Sequence, residues 1–161
     1  MEFETDLDTF KADAACVVPA QRAGAIAMAA GVNNGDWCPI VPASMQSQAD
    51  ENIYVLGDAS VAKSMPKSGF SANSQAKVAA NHIRGALTGS KVFDARYSNT
   101  CWSLIAPDDD VKVGASYVAG AEAIDVESKF ISQADDTSET RAANYQESID
   151  WYNGMTADMF S

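Results

Sequence analysis

Long apolar runs are missing from this sequence. No stretch approaches the roughly 18 to 20 apolar residues that a bilayer-spanning helix needs, so none reads as a membrane span. Basic side chains are scarce, 11 Lys and Arg against 22 Asp and Glu, and they do not cluster. That argues against nucleic acid as a partner, because binding a phosphate backbone needs grouped Lys and Arg. Cysteine is sparse too. Cys16, Cys38 and Cys101 are far apart and form no CxxC pair, which argues against a zinc site. Their odd number leaves at least one without an internal disulfide partner. The first ten residues, Met1 to Phe10, are acidic and lack the charged-then-apolar pattern of a signal peptide. No GxGxxG follows a strand-like run, so the usual glycine cradle for a dinucleotide pyrophosphate is absent.

What is present is ordinary globular material: 161 residues, 47% hydrophobic and 20% charged, enough for one domain or slightly more. The formal net charge of −11 keeps such a chain soluble or steers a basic partner toward it.

Ala14 to Val18 (AACVV), stopped by Pro19, is a compact apolar run with the signature of a buried strand, and Cys16 inside it is expected to be structural. Gln21 to Ala30 reads as a short helix ending at Gly31, followed by the turn cluster Val32 to Asp36 and an extended segment, Trp37 to Ala43. Ile53 to Leu56 (IYVL) is a second strand-like run. After a loop of small residues, Ala59 to Ser68, comes the clearest helix, with Ala72, Ala76, Ala79, Ile83 and Leu87 on one face and Gly89 as its stop. Two β-like runs, Cys101 to Ala106 and Val111 to Val118, flank a turn at Pro107 to Asp110. A weaker run, Ala123 to Ile131, extends the meander. Glu139 to Phe160 reads as a final helix with Ala142, Tyr145, Ile149 and Tyr152 or Trp151 on one side and Asp136 and Thr137 as candidate caps. The chain divides near Ser90 to Asn99. Its first part has two strands that look buried on both faces and too few partners to cover them.

The run NIYVLGDASVAKSMPKSGFSANSQAKVAANHI, Asn52 to Ile83, carries the chemistry. A buried strand ending in Gly57-Asp58 places a carboxylate at the ligand-binding end of an α/β sheet, and the glycine lets a ligand approach the backbone. The helix that opens near Ser68 to Phe70 aims free N–H groups and a positive dipole end at the same place, and Lys67 adds a cation. Taken alone, Gly-Asp is a turn cap and Lys67 a solvated loop lysine; the strand, loop and helix together are what suggest a site for an anionic ring. His82, the single histidine, lies beside the polar face of its helix and carries no clear chemical signal.

Gly57-Asp58, the small-residue loop, Met65-Pro66-Lys67-Ser68-Gly69 and the Ala-rich helix resemble the second FAD-binding segment of two-dinucleotide-fold flavoproteins. More narrowly, MPKSGFSANSQAKVAA, NTCWSLIAP (Asn99 to Pro107), WYNGMTADMF (Trp151 to Phe160), FKADAACVVPAQRAG and WCPI resemble the flavoprotein subunit of flavocytochrome c sulfide dehydrogenase. The resemblance implies an α/β fold: the incomplete end of a Rossmann-like FAD-binding domain over residues 1–98, then a small α+β flavin and interface domain over 99–161. It implies FAD held by Gly57, Asp58, Pro66, Lys67, Ser68 and Gly69. Cys101 becomes one half of a redox-active cysteine pair whose partner lies outside this chain, and Trp151 an aromatic near the flavin. Cys38, in WCPI, competes with Cys101 for the redox role, and Cys101 is favoured. Sulfide is the implied substrate, a c-type cytochrome the implied electron acceptor, and the periplasm the implied setting. The missing GxGxxG and first redox cysteine imply a carboxyl-terminal portion that is inactive alone. The rival is a non-catalytic acidic module that keeps only an interface and self-associates through uncovered apolar surface.

Overall fold

The structure is a computed structural model and describes residues 2–160. A small antiparallel hairpin, β1 (Glu2–Glu4) with β2 (Thr9–Lys11), opens the chain. Residues 12–24 then run without regular structure, mostly over the surface, until Ala23 enters a small core with Ala27, Val32 and Cys38. The strand expected at Ala14 to Val18 is therefore not formed: among the described residues no segment offers it a hydrogen-bond ladder, and Val18 is 83% exposed. Cys16 is likewise exposed rather than buried in a strand.

The short helix α1 (Ala25–Ala29) is shorter than the sequence predicts and is followed by Gly31, whose φ of 68° suits glycine. β3 (Cys38–Pro39) and β4 (Ser60–Val61) pair in parallel over two residues, the one parallel ladder among the described residues. Ile53 to Leu56 forms no strand. Tyr54 makes an isolated bridge to Gln46, and the chain turns at Gly57 (φ 69°) into a single 3-10 turn, Gly57–Ala59, before β4 can extend the pairing.

Helix α2 (Gly69–Thr88) matches its expected limits. Ser68 caps its start by accepting the Ser71 N–H, and Gly89, at φ 68°, ends it. Its buried face is Ser71, Gln75, Val78, Ala79 and Gly85, rotated from the all-apolar face read in the sequence, and Leu87 is 80% exposed. The rotation has a cause: the α2 start packs on hydrogen-bonding partners, with Gln75 Oε1 accepting the Gly57 N–H at 2.7 Å and the Ser74 hydroxyl accepting the Ser98 N–H at 3.0 Å.

The expected meander is present. β5 (Arg96–Ala106), β6 (Asp109–Ala119) and β7 (Ile124–Ile131) form an antiparallel sheet in that order. β5 and β6 are joined through Pro107 and Asp108, the latter at φ 58°. Helix α3 (Ser138–Phe160) starts where Thr137 Oγ1 accepts the Thr140 N–H, and packs mainly on β6. Its inward residues include Arg141, buried Asn144 and Trp151. Arg141 pairs with Asp109, and Lys112 with Glu147. The main core joins both ends of the chain: Ile40, Met45, Met65 and Val78 meet Tyr97, Ala115, Tyr117 and Ile124. The molecule is thus a mixed α and β structure in which α2 lies against β5 and α3 against β6.

Candidate functional site

Side chains alternate along a strand, so Asn99 and Cys101 of β5 share one face of the sheet and Trp102 takes the other. Register carries that face across the sheet. Cys101 lies opposite Val113, which lies opposite Ile131; Asn99 lies opposite Ala115, which lies opposite Lys129. With Pro66, Tyr117 and Phe130 these residues wall a cavity of about 960 Å³.

Half-buried Cys101 accepts a hydrogen bond at Sγ from Asn99 Nδ2 at 3.5 Å. Asn99 is only 3% exposed. Its Oδ1 accepts from the hydroxyls of Ser68 and Ser71 at 2.5 and 3.1 Å. Burial and the neighbouring sulfur charge of Cys101 push the Tyr117 hydroxyl pKa up, so that group stays protonated at neutral pH. Among the described residues no carboxylate pairs with Lys129.

A smaller cavity of about 200 Å³ adjoins, walled by Trp37, Gly57, Ser60, Pro66, Lys67 and Ser68 among others. The Lys67 ammonium donates to the carbonyls of Asp58 and, at 3.1 Å, Ser60, and sits 3.7 Å from the centroid of the Trp37 ring. Burial lowers its pKa, partly offset by the charges of Asp58 and Cys38.

Pro66 lines both cavities, so the structure brings the loop before α2 to the same place as Cys101. Gly57, Lys67 and Ser68 gather around the smaller cavity, whereas Asp58 is exposed and Gly69 opens α2, and neither lines a wall of the two. Trp151 sits in a cluster with Phe70, stacked at 5.1 Å, and Trp102, tilted at 5.9 Å. Within that cluster Trp102 Nε1 is buried without a hydrogen-bond partner. Cys38 is fully buried and its thiol pKa is pushed up by burial, against the pull of the Lys67 charge, which makes it a poor nucleophile. His82 Nδ1 pairs with the Tyr54 hydroxyl at 2.8 Å, a structural contact. All three thiols are free. Asn99, Ser71 and Tyr117 are the site residues that sequence reading missed. Asn99 was accessible to it, because position i−2 on a strand shares the face of Cys101.

Residues 93–160, which hold the sheet, Cys101 and Trp151, match the family model described as flavocytochrome c sulphide dehydrogenase, flavin-binding. This segment is similar to that flavin-binding family. The residues of the larger cavity are compatible with the ring end of a flavin: its volume is that of a small-molecule site, and its walls are mainly apolar with a thiol and a free ammonium. The phosphate end finds no glycine-rich loop in this chain.

Proposed function

We propose that this chain is the carboxyl-terminal portion of an FAD-dependent sulfide:cytochrome c oxidoreductase, with Cys101 as one member of its redox-active cysteine pair. The observation that carries the reading is the position of Cys101 on the wall of the larger cavity, shared with Pro66 of the loop that opens α2. Cys38, sealed in the core, offers no comparable access.

In this reading residues 1–98 are the end of a Rossmann-type FAD-binding domain and 99–161 a flavin and interface domain. Cys101 is joined by a disulfide to a cysteine in the remainder of the parent protein. Hydrosulfide attacks that disulfide: one S–S bond breaks and another forms, leaving a persulfide on one cysteine and a thiolate on the other. A second hydrosulfide takes the outer sulfur of the persulfide away as HSS⁻ and leaves two thiolates, whose closure back to the disulfide releases two electrons. FAD held on the cofactor side would supply the acceptor for that pair and the one-electron link to a c-type cytochrome. The chain's own residues prepare the sulfur. The cavity wall carries the apolar side chains of Val113 and Ile131, and the protonated Tyr117 hydroxyl lines the same cavity as Cys101. Gly57, Asp58, Pro66, Lys67, Ser68 and Gly69 form the cofactor side. Lys67 acts there by holding the loop, since its ammonium is committed to the Asp58 and Ser60 carbonyls. Trp151, stacked on Phe70 and beside Trp102, lines neither cavity and acts by holding α3 against the start of α2. A periplasmic setting permits the disulfide to persist, and the net charge of −11 suits a basic cytochrome surface.

The test is anaerobic addition of sulfide to the flavin-loaded parent protein in the presence of a c-type cytochrome. Cytochrome reduction that requires both sulfide and flavin is expected, and its absence overturns the reading.

Exposed apolar side chains favour a second reading, a non-catalytic module that pairs with a partner or itself. Val18, Leu87, Ile105, Ile131 and Phe160 all stand well out of the surface. A yellow preparation with flavin absorbance supports the enzyme, and a colourless oligomer supports the module.

A further inference from the structure

We infer that Asn99 is a positioning residue that stabilises the Cys101 thiolate, and that the start of α2 fixes its orientation through Ser68 and Ser71. The inference rests on the reading of Cys101 as the reacting sulfur and names a residue for that role.

The amide orientation follows from the helix cap. Ser68 Oγ already accepts the Ser71 backbone N–H at 3.1 Å, so its one hydrogen is left to donate, with Ser71 Oγ at 3.2 Å and the much nearer Asn99 Oδ1 as acceptors. Asn99 Oδ1 lies 2.5 Å away and takes it, and the Ser71 hydroxyl donates to the same oxygen at 3.1 Å. With Oδ1 turned to two hydroxyls, the NH₂ group faces the other way, toward Cys101 Sγ at 3.5 Å. An N–H donor favours sulfur in its charged form, since hydrogen bonds to an ionised acceptor are the stronger ones. The amide is buried, so water does not compete for the bond. The cap of α2 and the reactive sulfur of β5 are thereby joined by one chain of hydrogen bonds, across the junction where the helix meets the sheet.

The opposite orientation has the opposite consequence. If Oδ1 faced the sulfur it would accept from the neutral thiol and hold back the thiolate.

The test uses the chain itself, reduced, and needs neither flavin nor sulfide. Iodoacetamide labelling is followed by peptide mass spectrometry, and the rate at Cys101 is divided by the rate at exposed Cys16 in the same molecule. Asn99→Asp keeps the shape and still accepts from both serines but presents oxygen to the sulfur. Asn99→Ala removes the donor outright. For both, a fall of about 10- to 100-fold in the Cys101:Cys16 ratio at neutral pH is expected, the size of a lost hydrogen bond to a charged group. The pH profile of the ratio should move upward, which a purely structural role would not cause. Circular dichroism identifies a variant that fails to fold; Asn99→Leu, which removes the donor without the charge by which Asn99→Asp itself opposes a thiolate, then decides. An unchanged or increased ratio overturns the inference while leaving sulfide chemistry at Cys101 intact. A lowered ratio, together with a parent protein that still oxidises sulfide after Cys101→Ser, upholds the positioning role and sinks the proposed function.

Discussion

Phe70 and Trp151 stack with centroids 5.1 Å apart and planes 14° apart, so the first turn of α2 holds the middle of α3. α3 buries little else: Asn144 is its one buried residue among those described. Trp151→Ala should therefore loosen the whole helix, at a cost of about 2 to 4 kcal/mol, less than for a fully buried tryptophan. Trp151→Phe should keep most of the stack. Urea denaturation followed by far-ultraviolet circular dichroism measures both.

The Tyr97 hydroxyl donates to the Pro42 carbonyl deep in the core, and burial pushes its pKa well above the ordinary value near 10. In the unfolded chain the phenol ionises near pH 10, whereas in the folded protein it keeps its proton. Above that pH the unfolded state binds fewer protons, so stability must fall as pH rises. Tyr117 acts in the same sense and Lys67, with its lowered pKa, in the opposite one. Tyr97→Phe should be less stable at pH 7 through the lost hydrogen bond, yet lose less on going to pH 11. Parallel denaturation curves at the two pH values check it.

The elements that were legible in the sequence are those whose signal is local. α2 is bounded by Ser68 and Gly89, and the meander is marked by the turn at Pro107 to Asp110 between two β-like runs. Ala14 to Val18 and Ile53 to Leu56 looked like strands because of their apolar side chains. A strand, however, is made by its neighbours, and neither run has a ladder to join. The buried face of α2 was misjudged for a related reason: Ser71 and Gln75 are buried because they bond to Asn99 and Gly57, partners that no periodicity reveals. Cys101, Pro66 and Trp151 could be named from sequence. That Pro66 and Cys101 share a cavity, while Trp151 stacks in a separate aromatic cluster, is a matter of tertiary packing.

Gly114 lies where a β-carbon would strike both the Asn99 carbonyl and the Phe130 ring. The first is backbone and cannot swing aside. Gly114→Ala should force β5 and β6 apart beside the site and cost about 1 to 3 kcal/mol, as overpacking does. Thermal unfolding measures the loss, and iodoacetamide labelling at Cys101 should change with it.

The isolated chain should bind FAD weakly, since its larger cavity fits the ring while no glycine-rich loop here cradles the phosphates. Its exposed Ile105, Ile131 and Phe160 should also drive self-association. Fluorescence titration with FAD and sedimentation at micromolar concentration test the two points. Submicromolar binding by a clean monomer would contradict both.

The central claim, that Cys101 is the sulfur that meets sulfide, is tested most directly by rapid mixing of the flavin-loaded parent protein with sulfide. Cys101→Ser removes the disulfide that hydrosulfide attacks, so flavin bleaching should collapse by orders of magnitude while flavin content stays normal. Cys38→Ser, a change in the sealed core, should bleach at close to the unmutated rate in whatever fraction folds. Bleaching of Cys101→Ser at the unmutated rate, with Cys38→Ser unreduced, would contradict the account and give Cys38 the redox role.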